Sequence, residues 1–395
     1  MKRVLVAATV AVGLFAVAAF AATTVTAPAP NAEAVKSKLV TEALLLGVTR
    51  AGNRLVAVGE YGDILLSDDN GEHWRQAKKV PTTVTLTAVD FTDDKIGYAV
   101  GHDTLILQTT DGGETWVKQY GGGESDNALL SVYFKDANHG WAVGAFNFTV
   151  ETTDAGKTWV EHKTLMPPSA VPAATTERDP SAALSGPQDP ADAAKASAAK
   201  PAKPEPAFDP TKASKPGADP YAAATGDENH LNQMFAGPDA NTLFVAAEAG
   251  AVYRSLNGGA TWQKVLTGYA GSFWGGLTAK DGSIYATGMR GNLWHSTDKG
   301  ATWTKLDTHG ADQSIASGIQ LADGSFVFVG LGGQVLYSKD GKAFTLTYRP
   351  DRKGLNAVIV DGADKLLVFG EAGVKEQSIT PKPEEIDVPL PPSGG

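Results

Sequence analysis

Thr109–Trp116 reads TTDGGETW, and Ser296–Trp303 reads STDKGATW. The same octet stands at Ser67–Trp74 (SDDNGEHW), Thr152–Trp159 (TTDAGKTW) and Ser255–Trp262 (SLNGGATW). A copy one residue shorter, SKDGKAF, runs from Ser338 to Phe344. Each position has a local reason. The third-place Asp or Asn accepts hydrogen bonds from backbone N–H groups of its own turn. The fifth-place Gly permits a positive φ, the leading Ser or Thr bonds nearby, and the Trp is a large apolar anchor. The octet therefore reads as a folded turn between two strands. Its structural residues are Asp69, Trp74, Asp111, Trp116, Asp154, Trp159, Asn257, Trp262, Asp298, Trp303 and Asp340. Copies spaced along a repeat cannot converge on one point, so these carboxylates are not read as catalytic or metal-binding.

Upstream of the octets a second phrase recurs: LVAVGEYG, GYAVGHD, GWAVGAF, LFVAAEAG, IYATGMRG, FVFVGLGG and LLVFGEAG. Its glycines are Gly59, Gly101, Gly144, Gly288, Gly330 and Gly370, with Ala247 in the fourth place. The intervals are 42, 43, 103, 41, 42 and 40 residues, so the long one is one unit plus roughly 61 extra residues. Seven units of this period, each broken by Gly, Asp and Asn turns into four short strands, predict an all-β fold: a seven-bladed β-propeller spanning residues 34–379. Residues 129–161 show the pattern, with LLSVYF, WAVG, FTVETT and TWVEH as four strands. The last unit has three evident strands, so its fourth is expected from Ala34–Leu39, with the tail segment EEIDVPL as the other candidate. A closed ring has no free sheet edge and suits a stable fold without disulfides.

The chain has no cysteine and a formal net charge of −10. The first excludes disulfides, thiolate chemistry and an N-terminal lipid-modified Cys; the second argues against nucleic acid as a partner. Lys2 and Arg3 precede the apolar run Val4–Phe20 and then AFAATT, so residues 1–22 read as a signal peptide and the protein as exported. No second apolar run is long enough to span a bilayer. Residues 166–229, rich in Ala, Pro, Lys and Asp, read as a disordered insertion between blades three and four, and residues 380–395 as a Pro-rich tail.

Function is expected on the face opposite the octets, where the loops from second to third strands meet the connections between blades. Glu60, Tyr61, His102, Phe146, Glu248, Arg290 and Glu371 lie in the former. Arg290, Arg349, Arg352 and Lys353 fall on neighbouring blades and form a basic spot suited to carboxylates of a partner. Tyr269 and Trp274 read as an aromatic contact patch beside it. No metal or cofactor motif is present.

The octets resemble the Asp-box of bacterial neuraminidases. Combined with the AVG strands, above all IGYAVGHDTLILQTTDGGETW (Ile96–Trp116) and HGWAVGAFNFTVETTDAGKTW (His139–Trp159), they resemble the photosystem II stability and assembly factor family. That resemblance implies a non-enzymatic scaffold, placed in the periplasm or the thylakoid lumen. It also implies a membrane or envelope protein as partner, bound peripherally and partly through arginines, with Arg290, Arg349 and Arg352 as the matching candidates. The chain departs from the family in lacking a lipidated Cys and in its long insertion. The competing reading is a glycoside hydrolase of the sialidase-like propeller type. It would need three arginines around a carboxylate, or two carboxyls about 5 Å apart in the channel mouth.

Overall fold

A computed structural model describes residues 32–121, 127–162, 165, 229–361 and 365–379. Seven antiparallel sheets follow in chain order, six of four strands and the last of three among the described residues. The seven-bladed propeller read from the sequence is the fold. The innermost strands are Leu45–Ala51, Leu86–Phe91, Leu129–Phe134, Leu231–Ala236, Phe273–Thr278, Ile315–Gln320 and Leu355–Asp361. They line a central channel of about 550 Å³. The leader (1–22), the tail (380–395) and, apart from Asn229, the insertion lie outside the described residues.

Burial follows radius. Second strands such as Gly97–Gly101 and Gly140–Gly144 are buried at every position, because a neighbouring blade covers each face. First strands are half-buried toward the channel, and fourth strands such as Val117–Tyr120 are largely exposed. Seven hydrophobic clusters result, one at each interface between neighbouring blades, including that between the seventh and the first.

Polar side chains reinforce these interfaces near the channel. Thr87 Oγ1 donates to the Leu129 carbonyl (2.6 Å), and the Phe134 N–H donates to Asp90 Oδ2 (2.9 Å). Asn232 Nδ2 donates to the Phe273 carbonyl (2.7 Å), and Gln233 Oε1 accepts from the Gly276 N–H (2.8 Å). Asn356 Nδ2 donates to the Leu45 carbonyl (3.0 Å) and Arg50 to the Val360 carbonyl (2.8 Å), joining blade seven to blade one.

This corrects the expected closure. Residues 34–37 do not complete blade seven. The Ala34 N–H donates to the Val80 carbonyl and Gln76 Nε2 to the Val35 carbonyl, so the segment lies along the outer side of blade one. Only the following helical turn, Val40–Glu42, reaches blade seven, at its third strand. Among the described residues, no strand is shared across the junction. Among the described residues the junction is made by packing in the Leu45–Leu55–Leu367–Phe369 cluster and by the Arg50 and Asn356 bonds; the other candidate strand, EEIDVPL, lies outside them.

The octets are folded turns between third and fourth strands. In blade two, Asp111 Oδ1 accepts from Thr109 Oγ1 (2.8 Å) and the Thr115 N–H (2.9 Å), while the Gly113 N–H donates to Thr109 Oγ1 (3.0 Å). The Trp116 indole N–H donates to the Gly113 carbonyl (2.9 Å). Trp141, which the octets leave unexplained, seats the next turn: a Cβ on Gly259 would stand 2.3 Å from its ring. Tyr98 does the same for Gly156 of the following blade and donates to the Ala155 carbonyl (2.9 Å).

Candidate partner-binding face

The face opposite the octets is built by one bond used seven times. The N–H of the residue that follows the second strand donates to the carbonyl just before the first strand. The pairs are Glu60–Leu44, His102–Thr85, Ala145–Ala128, Glu248–His230, Met289–Ser272, Leu331–Ser314 and Glu371–Gly354. Each loop is thereby fixed to the connection entering its own blade. In six of the seven, the next residue takes a left-handed conformation: Tyr61, Asp103, Phe146, Ala249, Arg290 and Gly332 have φ between 53 and 64°.

Arg290 is exposed at the crest of such a loop in blade five. The adjacent Gly291 N–H donates to the Gln313 carbonyl, in the connection to blade six. Neighbouring Asp312 Oδ1 accepts from the Tyr348 hydroxyl (3.1 Å), and the Arg352 guanidinium stacks on the Tyr348 ring at 4.2 Å. Burial, then the Asp312 carboxylate, pushes the Tyr348 phenol up to about 12. Lys353 follows, exposed, with its N–H on Asp351. One chain of contacts thus connects Arg290 to Arg352 and Lys353 across three blades.

Arg349 is built differently. Its side chain is 13% exposed and donates to the Glu376 carbonyl (3.0 Å) and to Gln377 Oε1 (2.8 Å), tying the connection to the last strand of blade seven. The two aromatic candidates also separate. Tyr269 is half-buried, donates to the Met289 carbonyl (3.0 Å) and packs against Phe273 and Trp294. Trp274 lines the channel. They do not form one surface patch, because successive strand residues point to opposite faces and the chain turns inward between them.

Among the described residues that line the channel, Asp90 is the only carboxylate and none is an arginine. Burial pushes the Asp90 carboxyl up to about 6, against the Phe134 and Phe91 N–H bonds that hold it down. On the octet face, Asp69, Glu72 and His73 bring possible ligand atoms within 4.8 Å of one another. They are exposed, and Asp69 Oδ1 already accepts from Ser67 and the His73 N–H, with Oδ2 on the His73 ring. Among the described residues no helix is long and apolar enough to cross a membrane.

A family model described as photosynthesis system II assembly factor YCF48 matches residues 66–163. The chain is similar to that assembly-factor family. The match spans the octets of blades one to three and ends before the arginines of blades five to seven. Among solved structures, YCF48 bound to a D1 peptide superposes with a TM-score of 0.59 at 14% identity, covering 90% of this chain and 99% of that one. YCF48 from Cyanidioschyzon merolae gives 0.55 at 16%, covering 88% and 98%. The WD40 β-propeller domain of Doa1 gives 0.55 at 11%, covering 87% and 94%. At these identities the likeness is one of fold. No curated protein matches the sequence.

Proposed function

We propose that the protein is an exported, non-enzymatic propeller that docks a segment of a membrane or envelope protein during assembly or stabilisation of a membrane complex. It acts from the periplasm, or from the thylakoid lumen in a photosynthetic host, and associates with the membrane only through that partner. The observation that carries the reading is the run Arg290–Asp312–Tyr348–Arg352–Lys353, in which rigid loops present cations outward. Guanidinium groups held this way suit carboxylates of a peptide, as planar forks that lose little freedom on binding. The structural neighbour with a D1 peptide supports a propeller of this shape holding a peptide. The channel is compatible with this reading: among the described residues lining it stand one carboxylate and no arginine, where a propeller glycosidase would use an acid pair or an arginine triad.

The test is a crosslinking capture from the host envelope with the mature protein, beside an Arg290→Ala/Arg352→Ala/Lys353→Ala variant. Recovery of one membrane protein that the variant loses supports the reading. Equal capture by both removes the basic run from it, and glycan hydrolysis by the wild type, abolished in Asp90→Asn, would replace it with the hydrolase.

A further inference from the structure

Of the eight large hydrophobic side chains exposed among the described residues, three meet at one place: Val35 (71% exposed), Leu39 (65%) and Tyr61 (65%). They line a cavity of about 660 Å³ between the segment ahead of blade one and that blade's loop from second to third strand. Single exposed apolar side chains need no explanation, but three around one cavity do.

Tyr61 shares the left-handed backbone of its loop position with Asp103, Phe146, Ala249 and Arg290. It sits at φ 56°, where the equivalent loop of blade six has Gly332 at 64°. A non-glycine residue held there costs about 1–2 kcal/mol. The loop bond from the Glu60 N–H to the Leu44 carbonyl holds that backbone, as its equivalents do in the other blades, and leaves the Tyr61 ring exposed beside the cavity.

Charge supplies the chemistry of what the cavity would hold. Glu33, Glu42 and Glu60 border the cavity, and Asp63 lies at its base with its carboxyl raised by burial. Compensation from cations is slight. Lys36 donates to the Ala77 carbonyl and acts on Asp63, Lys79 pairs with Glu33 at 3.8 Å, and Glu42 and Glu60 make no ion pair among the described residues. Glu60 accepts from the Leu44 N–H (3.1 Å), which fixes its carboxylate at the rim. Exposed apolar side chains among carboxylates are the reverse of the basic run on blades five to seven, on the same face of the ring.

We infer that this cavity is a second docking site, which takes a peptide segment of a partner protein bearing an apolar side chain next to Lys or Arg. The apolar side chain enters among Val35, Leu39 and Tyr61, and the cation meets Glu42 and Glu60. The inference rests on the scaffold reading only in sharing its face; the residues are different, so the two fail separately.

A random dodecapeptide phage library selected on the full mature chain tests it. Enriched clones are expected to pair Lys or Arg with Leu, Ile, Val or Phe. A synthetic peptide of the leading sequence should bind at least tenfold more weakly to Tyr61→Gly and to Glu42→Arg, and as well to the Arg290/Arg352/Lys353 alanine variant as to the wild type. Tyr61→Gly should melt no lower than the wild type, since glycine relieves the left-handed backbone; loss of binding without loss of stability separates docking from folding. Acidic or uncharged clones, no enrichment, or equal binding to Tyr61→Gly would overturn the site. So would capture seen only when the chain is shortened to begin at Ala32, since the cavity would then belong to the protein's own preceding segment.

Discussion

At Gly144 the backbone passes so near blade three's entering connection that a Cβ would stand 2.0 Å from the Ala128 carbonyl oxygen. The same holds at Gly59, Gly101, Gly330 and Gly370, whereas Gly288 leaves 2.9 Å to Ser272. The glycine of the AVG phrase is thus required by close approach. Gly144→Ala should cost about 2–3 kcal/mol in thermal or denaturant unfolding, and Gly288→Ala distinctly less; equal costs would remove this account. The octet carboxylates make a pH prediction. Hydrogen bonds hold Asp69 at about 2; at Asp298, burial works the other way but bonds from Thr302 and Ser296 prevail, also to about 2. Both lie below the ordinary carboxyl value of 3.8. Their contribution is therefore present above about pH 4 and lost as pH falls toward 2. Asn257 already fills this role in blade four, its Oδ1 accepting from the Thr261 N–H (2.9 Å) and its Nδ2 donating to Thr261 Oγ1 (2.8 Å). Asp298→Asn should fold as well as the wild type at pH 7 and lose less stability between pH 5 and 2.

Between elements, the first strands carry both the channel wall and the cross-blade bonds. Asp90 does both, and its titration has the opposite sign from that of the octets. Its carboxyl sits near 6, above the ordinary 3.8, so its contribution is full below about pH 4 and declines as pH rises through 6. Asp90→Asn should flatten the melting temperature between pH 5 and 7.5, and an unchanged slope would refute the assignment. Arg349 gives a contrast inside the basic run. Arg349→Ala should lower the melting temperature and increase amide exchange in Gly373–Ser378, by loss of the bonds to Glu376 and Gln377; Arg290→Ala should do neither. This is where reading the sequence reached its limit. Strands, turns and the face bearing the arginines were legible, because period, Gly and Asp mark them locally. That Arg349 turns inward, that Tyr269 and Trp274 part, and that residues 34–37 lie on blade one depend on packing between distant segments. No local pattern encodes that.

Across the whole ring, seven hydrophobic clusters at seven interfaces leave no blade more terminal than another. Stability is then a sum over near-equivalent contacts between neighbours. The point at which the chain leaves blade three shows how little the insertion asks of that sum. The Leu165 N–H donates to Asn147 Oδ1 (3.1 Å), and the Asn147 N–H donates to the Asn229 carbonyl (2.9 Å). Departure and return are held by one residue. Replacing residues 166–228 with a short Gly/Ser bridge should therefore leave the melting temperature within a few degrees, because loop closure depends only weakly on length. Since blade one meets blade seven by packing alone among the described residues, chain order around the circle is also free to change. A permuted gene that starts at Asn229 and ends at Leu165, with the old ends joined, should give the same ring. In such a molecule the beginning of the sequence is a matter of reading frame, and the circle itself is what is inherited.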